Sequence, residues 1–273
     1  MKQKCPPANK KVDAQLRCPG DLSCDSAEAT GLRTADETLD TLFDGQLRIL
    51  QTRKGYRFSL DAILLAHFAT VREAEKIADL GTGNGVIPMI IACRKPLTSV
   101  LGVEVQEGLA RRARRNVQRN NLEQRIQIMQ GDVRAINRIA APESFDGVVC
   151  NPPYRKPTSG RVSPNAEKRI ARHEIMGTLQ DFIEAGRYLL TAKGRMTLVY
   201  PAVRCVDLLQ AMRGTGLEPK LLRMVHSCTG TEASLILVEG VKGGRSGAKI
   251  MRPLFIYERG KTYSAEVAAM LQG

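Results

Sequence analysis

Several residue types and patterns are scarce in this sequence. It has no tryptophan, and aromatic residues make up only 4% of its 273 residues, which disfavours a binding module built on aromatic anchors. No apolar stretch approaches the roughly 18 residues that a membrane span needs. The opening residues, MKQKCPPANKKVDAQ, lack the apolar segment of a secretory signal. We therefore expect a cytoplasmic protein without a membrane partner.

Metal-ligand patterns are missing as well. The seven cysteines include no CxxC pair, and only three histidines are present. Cysteines 93, 150, 205 and 228 stand singly in apolar or mixed surroundings, which predicts reduced, buried thiols. Cysteines 5, 18 and 24 have gaps too irregular for a zinc knuckle. We expect no metal site.

Positive charge, in contrast, is abundant. Subtracting 28 acidic from 41 basic residues leaves a formal charge of +13. A surplus of this size favours a polyanion or an acidic surface as the partner. The hydrophobic content of 43% is ordinary for a globular protein.

The pattern along the chain predicts a tail followed by one domain. Residues 1–35 carry prolines, glycines and mixed charges without an apolar period, which is typical of a disordered tail. Residues 36–273 predict a single domain that starts with a short strand and helix extension. From Lys76 onward, buried strands alternate with helices, which indicates an α/β fold with a parallel sheet covered on both faces.

A glycine-rich loop follows the strand KIADL. Its residues Asp79, Gly81, Gly83 and Gly85 precede an apolar helix, and the glycines would let a ligand approach main-chain N–H groups. Alone, the loop is also compatible with an ordinary tight turn. The next strand ends near Glu104, whose carboxylate could accept both hydroxyls of a ribose.

A third acidic position follows the third strand, where Asp132 could accept an adenine amino hydrogen and Val133 stands beside it. Singly, each carboxylate is compatible with a solvated or capping role. Together with the loop, they fit an adenosine that carries a sulfonium rather than phosphates. The segment resembles the class I S-adenosylmethionine-dependent methyltransferases. That resemblance implies a Rossmann-like, mostly parallel sheet with an antiparallel C-terminal strand, and S-adenosyl-L-methionine as cofactor.

The tetrapeptide Asn151-Pro152-Pro153-Tyr154 stands at the end of the fourth strand. Two prolines fix the direction of the carbonyl groups, and the asparagine adds a side-chain acceptor. Two convergent acceptors can hold both N–H bonds of an amino group, and the tyrosine offers a face for a planar base. The tetrapeptide resembles the signature of methyltransferases that act on base amino groups or on the glutamine amide, and Asn151 would also border the cofactor.

The flanks of this tetrapeptide narrow the resemblance. The strings TLDTLFDGQLRILQTRKGYRFSLDAILLAHFA and NPPYRKPTSGRVSPNAEKRIARHE closely resemble bacterial tRNA (adenine-N6)-methyltransferases of the valine-tRNA type. The resemblance implies methylation of adenine 37 in the anticodon loop. Residues Arg57, Ser59 and Asp61 are candidates for the methionine end of the cofactor, although a helix cap and a first-turn charge explain them equally well.

Basic clusters indicate where RNA would bind. The loop after Tyr154 carries six candidates for phosphate contacts, namely Arg155, Lys156, Arg161, Lys168, Arg169 and Arg172. A second cluster lies between Lys242 and Lys261. The arginines of the helix near 106–120 are equally compatible with a solvated face. The alternatives left open are an amino-methyltransferase acting on ribosomal RNA, DNA or a protein glutamine, and a non-enzymatic RNA-binding module.

Overall fold

The protein is described by a computed structural model that covers residues 34–54, 56–154 and 177–273. Nearly all of the predicted tail therefore lies outside the described residues. The described part forms a nine-stranded sheet with helices on both faces, flanked by two small hairpins. The predicted α/β fold with a mostly parallel sheet is confirmed.

Five consecutive parallel strands form the centre of the sheet in the order β7-β6-β3-β4-β5. Their bounds are β3 Lys76–Leu80, β4 Ser99–Glu104, β5 Ile126–Gln130, β6 Phe145–Cys150 and β7 Leu190–Pro201. Because these strands are parallel, their carboxyl ends lie at one end of the sheet, which we call the catalytic end. Ligands of open α/β sheets bind outside that end.

Two hydrophobic cores cover the two faces of this sheet. Successive residues of a strand point to opposite faces, and accordingly Ile77 belongs to one core while Ala78 belongs to the other. The first core includes helices α1 Leu60–Phe68, α2 Val86–Arg94 and α3 Glu107–Arg119. The second includes α4 Leu179–Leu189 and α5 Cys205–Gly214. Burial on both faces explains why the strands read as nearly continuous apolar runs.

The C-terminal part extends the sheet with antiparallel strands, as expected. Strand β9, Ala233–Lys242, runs antiparallel to both β7 and β8, the latter spanning Leu217–His226. Two short strands, β10 Lys249–Ile250 and β11 Leu254–Phe255, run parallel to β8 along its free edge. A small hairpin, β12 Tyr257–Arg259 and β13 Thr262–Tyr263, leads into helix α6, Ala265–Gln272.

An N-terminal hairpin packs against α3. Its strands are β1 Glu37–Leu42 and β2 Leu47–Thr52. The side chain of Asn116 joins it to the domain, because its Oδ1 accepts the N–H of Leu50 at 2.7 Å and its Nδ2 donates to the Leu50 carbonyl at 3.1 Å. The sequence predicted only the second of these strands.

The basic helix α3 is not simply a solvated face. Arg112 is only 8% exposed, and it pairs with the buried Glu37 of β1 at 3.2 Å. Arg115 pairs with the same carboxylate at 2.8 Å. Hydrogen bonds and charge from these arginines lower the pKa of Glu37 although its burial acts to raise it. Part of the basic surplus therefore anchors the N-terminal hairpin and is not available to a polyanion.

Three of the predicted reduced thiols are free in the structure, namely Cys93, Cys150 and Cys205, but only Cys150 is buried as predicted, and the other two are half-buried. Cys228 is disulfide-bonded, so the prediction of a reduced thiol was wrong there. The sequence around a single cysteine does not reveal which distant cysteine the fold brings next to it.

Among the described residues, none of the helices is long and apolar enough to cross a membrane, and no group of side chains that could hold a metal ion occurs.

Candidate active site

The loop between β3 and α2 forms one wall of a cavity at the catalytic end. Its three glycines have positive φ angles of 77°, 58° and 80° at Gly81, Gly83 and Gly85. A Cβ atom on Gly83 would lie 2.8 Å from the ring of Tyr56, so space and backbone conformation both require glycine there. The cavity is lined by Tyr56, Gly81, Gly83, Val103, Glu104, Val105, Gln106, Leu109, Gly131, Val133, Asn151, Pro153 and Phe182.

The N–H groups of this loop are used inside the protein. Those of Gly81 and Thr82 donate to the Val103 carbonyl at 2.9 and 3.0 Å. The N–H of Gly83 donates to the Glu104 carboxylate at 2.8 Å. The sequence predicts a loop that presents main-chain N–H groups to a ligand. In the structure, these three N–H groups donate to acceptors at the end of β4 instead. Phosphate binding needs such donors free, so the loop suits a cofactor without phosphates.

Asp79 lies behind the glycine loop. It is 0% exposed, and it is not among the residues that line the cavity. Burial raises its pKa to about 7, a hydrogen bond from the Thr82 side chain acts in the opposite direction, and the charge of Glu104 adds to the rise. A buried ionised carboxylate is costly unless an opposite charge compensates it. A direct contact between Asp79 and a cofactor stays a prediction.

Glu104 stands at the end of β4, as predicted, and lines the cavity. Its two oxygens accept the N–H groups of Gly83 and Gln106 at 2.8 and 2.9 Å, which fixes the orientation of the carboxylate. A carboxylate has about four acceptor positions. That this oriented carboxylate accepts neighbouring ribose hydroxyls stays a prediction.

Asp132 has a different environment from the other two acids. Its carboxylate caps the short 3-10 helix Val133–Arg138 and pairs with Arg134, which lowers its pKa. The cavity is bordered by its neighbours Gly131 and Val133 instead. A contact between Asp132 and an adenine amino group stays a prediction, and it would require the carboxylate to share its oxygens with Arg134.

The tetrapeptide lies directly after β6, and both Asn151 and Pro153 face the cavity. The hydroxyl of Tyr154 is hydrogen-bonded to Oδ1 of Asn151 and lies 3.3 Å from Oδ2 of Asp61. An amide oxygen has two lone pairs, so Oδ1 of Asn151 keeps one for a second donor. Burial raises the pKa of Tyr154 well above its usual value, which keeps its hydroxyl protonated.

Two residues from β7 and the following turn hold Tyr154 from the other side. Its ring meets that of Tyr200 edge to face, with centroids 5.7 Å apart. Arg204 donates to the Tyr154 carbonyl at 3.0 Å, and its guanidinium lies 4.9 Å from the centre of the Tyr200 ring. Arg204 was not predicted as a site residue, because a single arginine after a strand carries no local signal of a contact 50 residues away.

The residues before α1 divide into two groups. Arg57 pairs with Asp40 of β1 and donates to Thr38 at 2.7 Å, so the structure gives it a role in the N-terminal hairpin. Asp61 is buried, which raises its pKa, and a hydrogen bond from Ser59 partly offsets the effect. Ser59 and Asp61 thus stand beside the tetrapeptide, whereas Arg57 is engaged elsewhere.

Aromatic residues of the cavity were also missed. Tyr56 covers Gly83, and Phe182 packs so close to Gly81 that a Cβ atom on Gly81 would lie 3.3 Å from its ring. Burial raises the pKa of Tyr56, as do the carboxylates of Glu104, Asp79 and Asp61. Tyr56 lies within the string GYRFSLD that carries the family resemblance, while Phe182 reads as an ordinary core residue of α4.

The predicted phosphate contacts Arg155, Lys156, Arg161, Lys168, Arg169 and Arg172 all lie outside the described residues. They stay predictions. Within the C-terminal cluster, Lys242 pairs with Glu143 at 2.9 Å and donates to the Leu190 carbonyl at 2.6 Å. Lys242 is therefore partly occupied by structural contacts.

The fold and the cavity place this chain in a known class. A family model described as the methyltransferase small domain matches residues 60–214, which is more than half of the chain. The chain belongs to this family. Its sheet is also similar to the crystal structure of a predicted O-methyltransferase, protein Atu636 from Agrobacterium tumefaciens, with a TM-score of 0.64 and 25% identity over 77% of this chain and 94% of that one.

More particular relatives are proteins named tRNA1(Val) (adenine(37)-N6)-methyltransferase. The one from Photobacterium profundum is 26% identical over 218 residues, covering 79% of this chain and 90% of the relative. The one from Vibrio vulnificus strain CMCP6 is 27% identical over 227 residues, covering 83% and 92%. The one from Porphyromonas gingivalis strain W83 is 33% identical over 169 residues, covering 60% and 66%.

Proposed function

We propose that this protein transfers a methyl group from S-adenosyl-L-methionine to N6 of adenine 37 in the anticodon loop of a valine-type tRNA. The observation that carries the proposal is the position of Asn151 and Pro153, which face the same cavity as the glycine loop. The names of the relatives support the choice of tRNA as the substrate. The tRNA is the expected partner, and the cytoplasm, where tRNA is found, is the expected location.

The residues of the cavity fit this cofactor. Asp79 is buried two residues before Gly81, and its negative charge would favour a ligand that carries positive charge. The internally satisfied loop N–H groups suit a ligand without phosphates. Glu104 would hold the ribose hydroxyls. The glycines of the loop would give the nucleoside close access to the backbone. S-adenosylmethionine supplies a methyl carbon bonded to a positively charged sulfur.

The tetrapeptide would position the acceptor nitrogen. Oδ1 of Asn151 and a carbonyl of the proline pair would each accept one N–H of the adenine amino group, which directs the nitrogen lone pair into the cavity. Positioning of this kind supplies much of the acceleration when two reactants must meet in line. The ring of Tyr154 would stack on the base, and an unpaired anticodon-loop base can be turned outward to reach it. Asp61 and Arg204 would hold Tyr154 in place.

The direct test is mass spectrometry of nucleosides from tRNA. Unmodified tRNA transcripts are incubated with the protein and S-adenosylmethionine, digested and compared with a reaction that lacks the protein. We expect N6-methyladenosine, and it should disappear when adenine 37 is replaced by guanine. Methylation of ribosomal RNA, DNA or a glutamine-containing peptide under these conditions, with no change in the tRNA, would overturn the proposal.

A further inference from the structure

The hairpin formed by β12 and β13 projects from the C-terminal part of the sheet and carries two exposed cations and one exposed carboxylate, Glu258. We propose that this hairpin binds the phosphate backbone of the RNA substrate beside the catalytic cavity, an inference that rests on the proposed tRNA methylation. Arg259 and Lys261 flank Gly260 at its tip, and all three are exposed. Among the described residues, neither cation forms an ion pair, whereas nearby Arg223 is paired with Glu266 at 2.6 Å.

Strand directions place the hairpin at the catalytic end. Because β7 and β8 both run antiparallel to β9, they run in the same direction. His226, the last residue of β8, therefore lies at the same end as the tetrapeptide. Strand β11 runs parallel to β8 and pairs Phe255 with His226. The N–H groups of Ile256 and Tyr257 then donate to the carbonyls of His226 and Ser227 at 2.9 and 2.8 Å, so the hairpin begins where β8 ends.

The separation from the cavity matches a bound RNA strand. The hairpin follows β11, and the order β11-β8-β9-β7-β6 puts four strand spacings between β11 and the strand that leads into the tetrapeptide. At about 4.8 Å per spacing, the offset is about 19 Å. Nucleotides advance by about 3.4 Å along a helical strand. The hairpin would therefore meet phosphates about five to six nucleotides from the target base.

Stacked tyrosines make the hairpin a preformed surface. Tyr257 and Tyr263 are cross-strand partners whose rings stack with centroids 5.3 Å apart and planes 14° apart. The N–H of Ser264 donates to the Ile256 carbonyl at 2.9 Å, which closes the base of the hairpin. A surface that is already ordered loses less conformational entropy on binding. The two cations are thus held at the catalytic end before any RNA arrives.

Exposed apolar side chains follow the strand next to β6. Val203 is 91% exposed and Val206 is 70% exposed, and both come after the end of β7. Helix α5 packs on the second core, whereas Leu254 and Ile256 before the hairpin belong to the first core. Unpaired nucleobases can cover apolar surface while their phosphates meet cations. These valines are therefore a separate candidate contact for nucleobases and are not part of the hairpin surface.

The test compares two double variants that remove equal charge. In the first, Arg259→Ala is combined with Lys261→Ala. In the matched control, Arg245→Ala is combined with Lys249→Ala, two exposed cations; Lys249 pairs with Leu221 in the middle of β8. From Leu221 to His226 the strand advances by about 17 Å, so the control pair lies away from the catalytic end.

The assay measures the tRNA dissociation constant between 50 and 200 mM KCl together with steady-state kinetics. Each lost phosphate contact removes about 0.7 from the slope of log K against log salt. We expect the hairpin variant to lose about 1.4 from that slope. Affinity should fall about tenfold at 0.15 M salt, with kcat at saturating tRNA and the cofactor Kd unchanged. The charge-preserving pair Arg259→Lys with Lys261→Arg should restore the wild-type slope.

Three outcomes would overturn the inference. They are an unchanged slope in the hairpin variant, an equal loss in the control pair, and loss of binding to polyglutamate but not to tRNA. The last result would assign the hairpin to an acidic protein. Failure of the proposed function can be distinguished from failure of this inference, because in that case the wild-type protein itself would produce no N6-methyladenosine in tRNA.

Discussion

Replacing Asp79 by asparagine should stabilise the protein and weaken its cofactor binding. The side chain is fully buried, and its pKa of about 7 stands well above the reference value of 3.8. Because the pKa is raised in the folded state, Asp79 is protonated in the folded state but ionised in the unfolded state at pH values between 3.8 and about 7. Stability from this group is therefore fully present below about pH 4, declines as the pH rises, and levels off above about pH 7.

The magnitude follows from the size of the shift. The shift from 3.8 to about 7 is about three units, and each unit corresponds to about 1.4 kcal/mol, so the full effect is about 4 kcal/mol, of which about 3 kcal/mol falls between pH 5 and pH 7. Asparagine has nearly the same shape and does not titrate. At pH 8 the variant should be more stable than the wild type by an amount of this order, and near pH 4 the two should differ little.

Urea unfolding at pH 5 and pH 8 measures the effect, and calorimetry at the same pH values measures the cofactor Kd. Glu123→Gln, which neutralises an exposed carboxylate, is the control. Cofactor affinity of the wild type should increase through pH 7 as Asp79 ionises, and this dependence should vanish in Asp79→Asn. Parallel stability profiles for the wild type and the variant would refute the reasoning about this carboxylate.

The remaining predictions concern positioning and ribose binding. Arg204→Gln should lower kcat about tenfold while the cofactor Kd stays unchanged. The variant loses the hydrogen bond to the Tyr154 carbonyl, and the net free energy of one such bond is about 1 kcal/mol. Arg213→Gln, which removes an exposed ion pair on helix α5 directly after Arg204, should leave kcat unchanged. An equal fall of kcat in the two variants would mean that the effect comes from a general disturbance of α5 and not from the contact with Tyr154. Glu104→Ala should weaken cofactor binding about tenfold or more through lost hydrogen bonds, and unchanged calorimetric affinity would exclude the ribose role.

Local patterns predicted most of the central sheet. The segment KIADL matches β3 in both bounds, because a strand buried on both faces is a short apolar run between polar ones. The position of the residues that follow the strands of this sheet could then be predicted from the topology, since the carboxyl ends of parallel strands lie at the same end of a sheet. This is why the residue pattern alone could assign the glycine loop, Glu104 and Asn151 to one cavity.

Contacts between distant segments could not be predicted in this way. The bond from Tyr154 to Asp61 spans 93 residues, and the pair of Arg115 with Glu37 spans 78. Neither leaves a periodic signal. The β1 strand and the helix α6 were missed because both are short and only partly buried, so their apolar pattern is weak. The contacts of Arg57 with Asp40 and Thr38 of β1 were not predictable for the same reason, and a cofactor contact of Arg57 stays a prediction.

The central claim is that the Asn151 amide oxygen holds the acceptor amino group. It is tested most directly by single-turnover methylation of the tRNA anticodon stem-loop by Asn151→Ala at saturating cofactor, with the cofactor Kd measured in parallel. We predict a rate at least about 100-fold lower, since a misplaced acceptor nitrogen alone costs that much, and a Kd within about twofold of the wild type. A variant that binds the cofactor normally and methylates at the wild-type rate would contradict this claim.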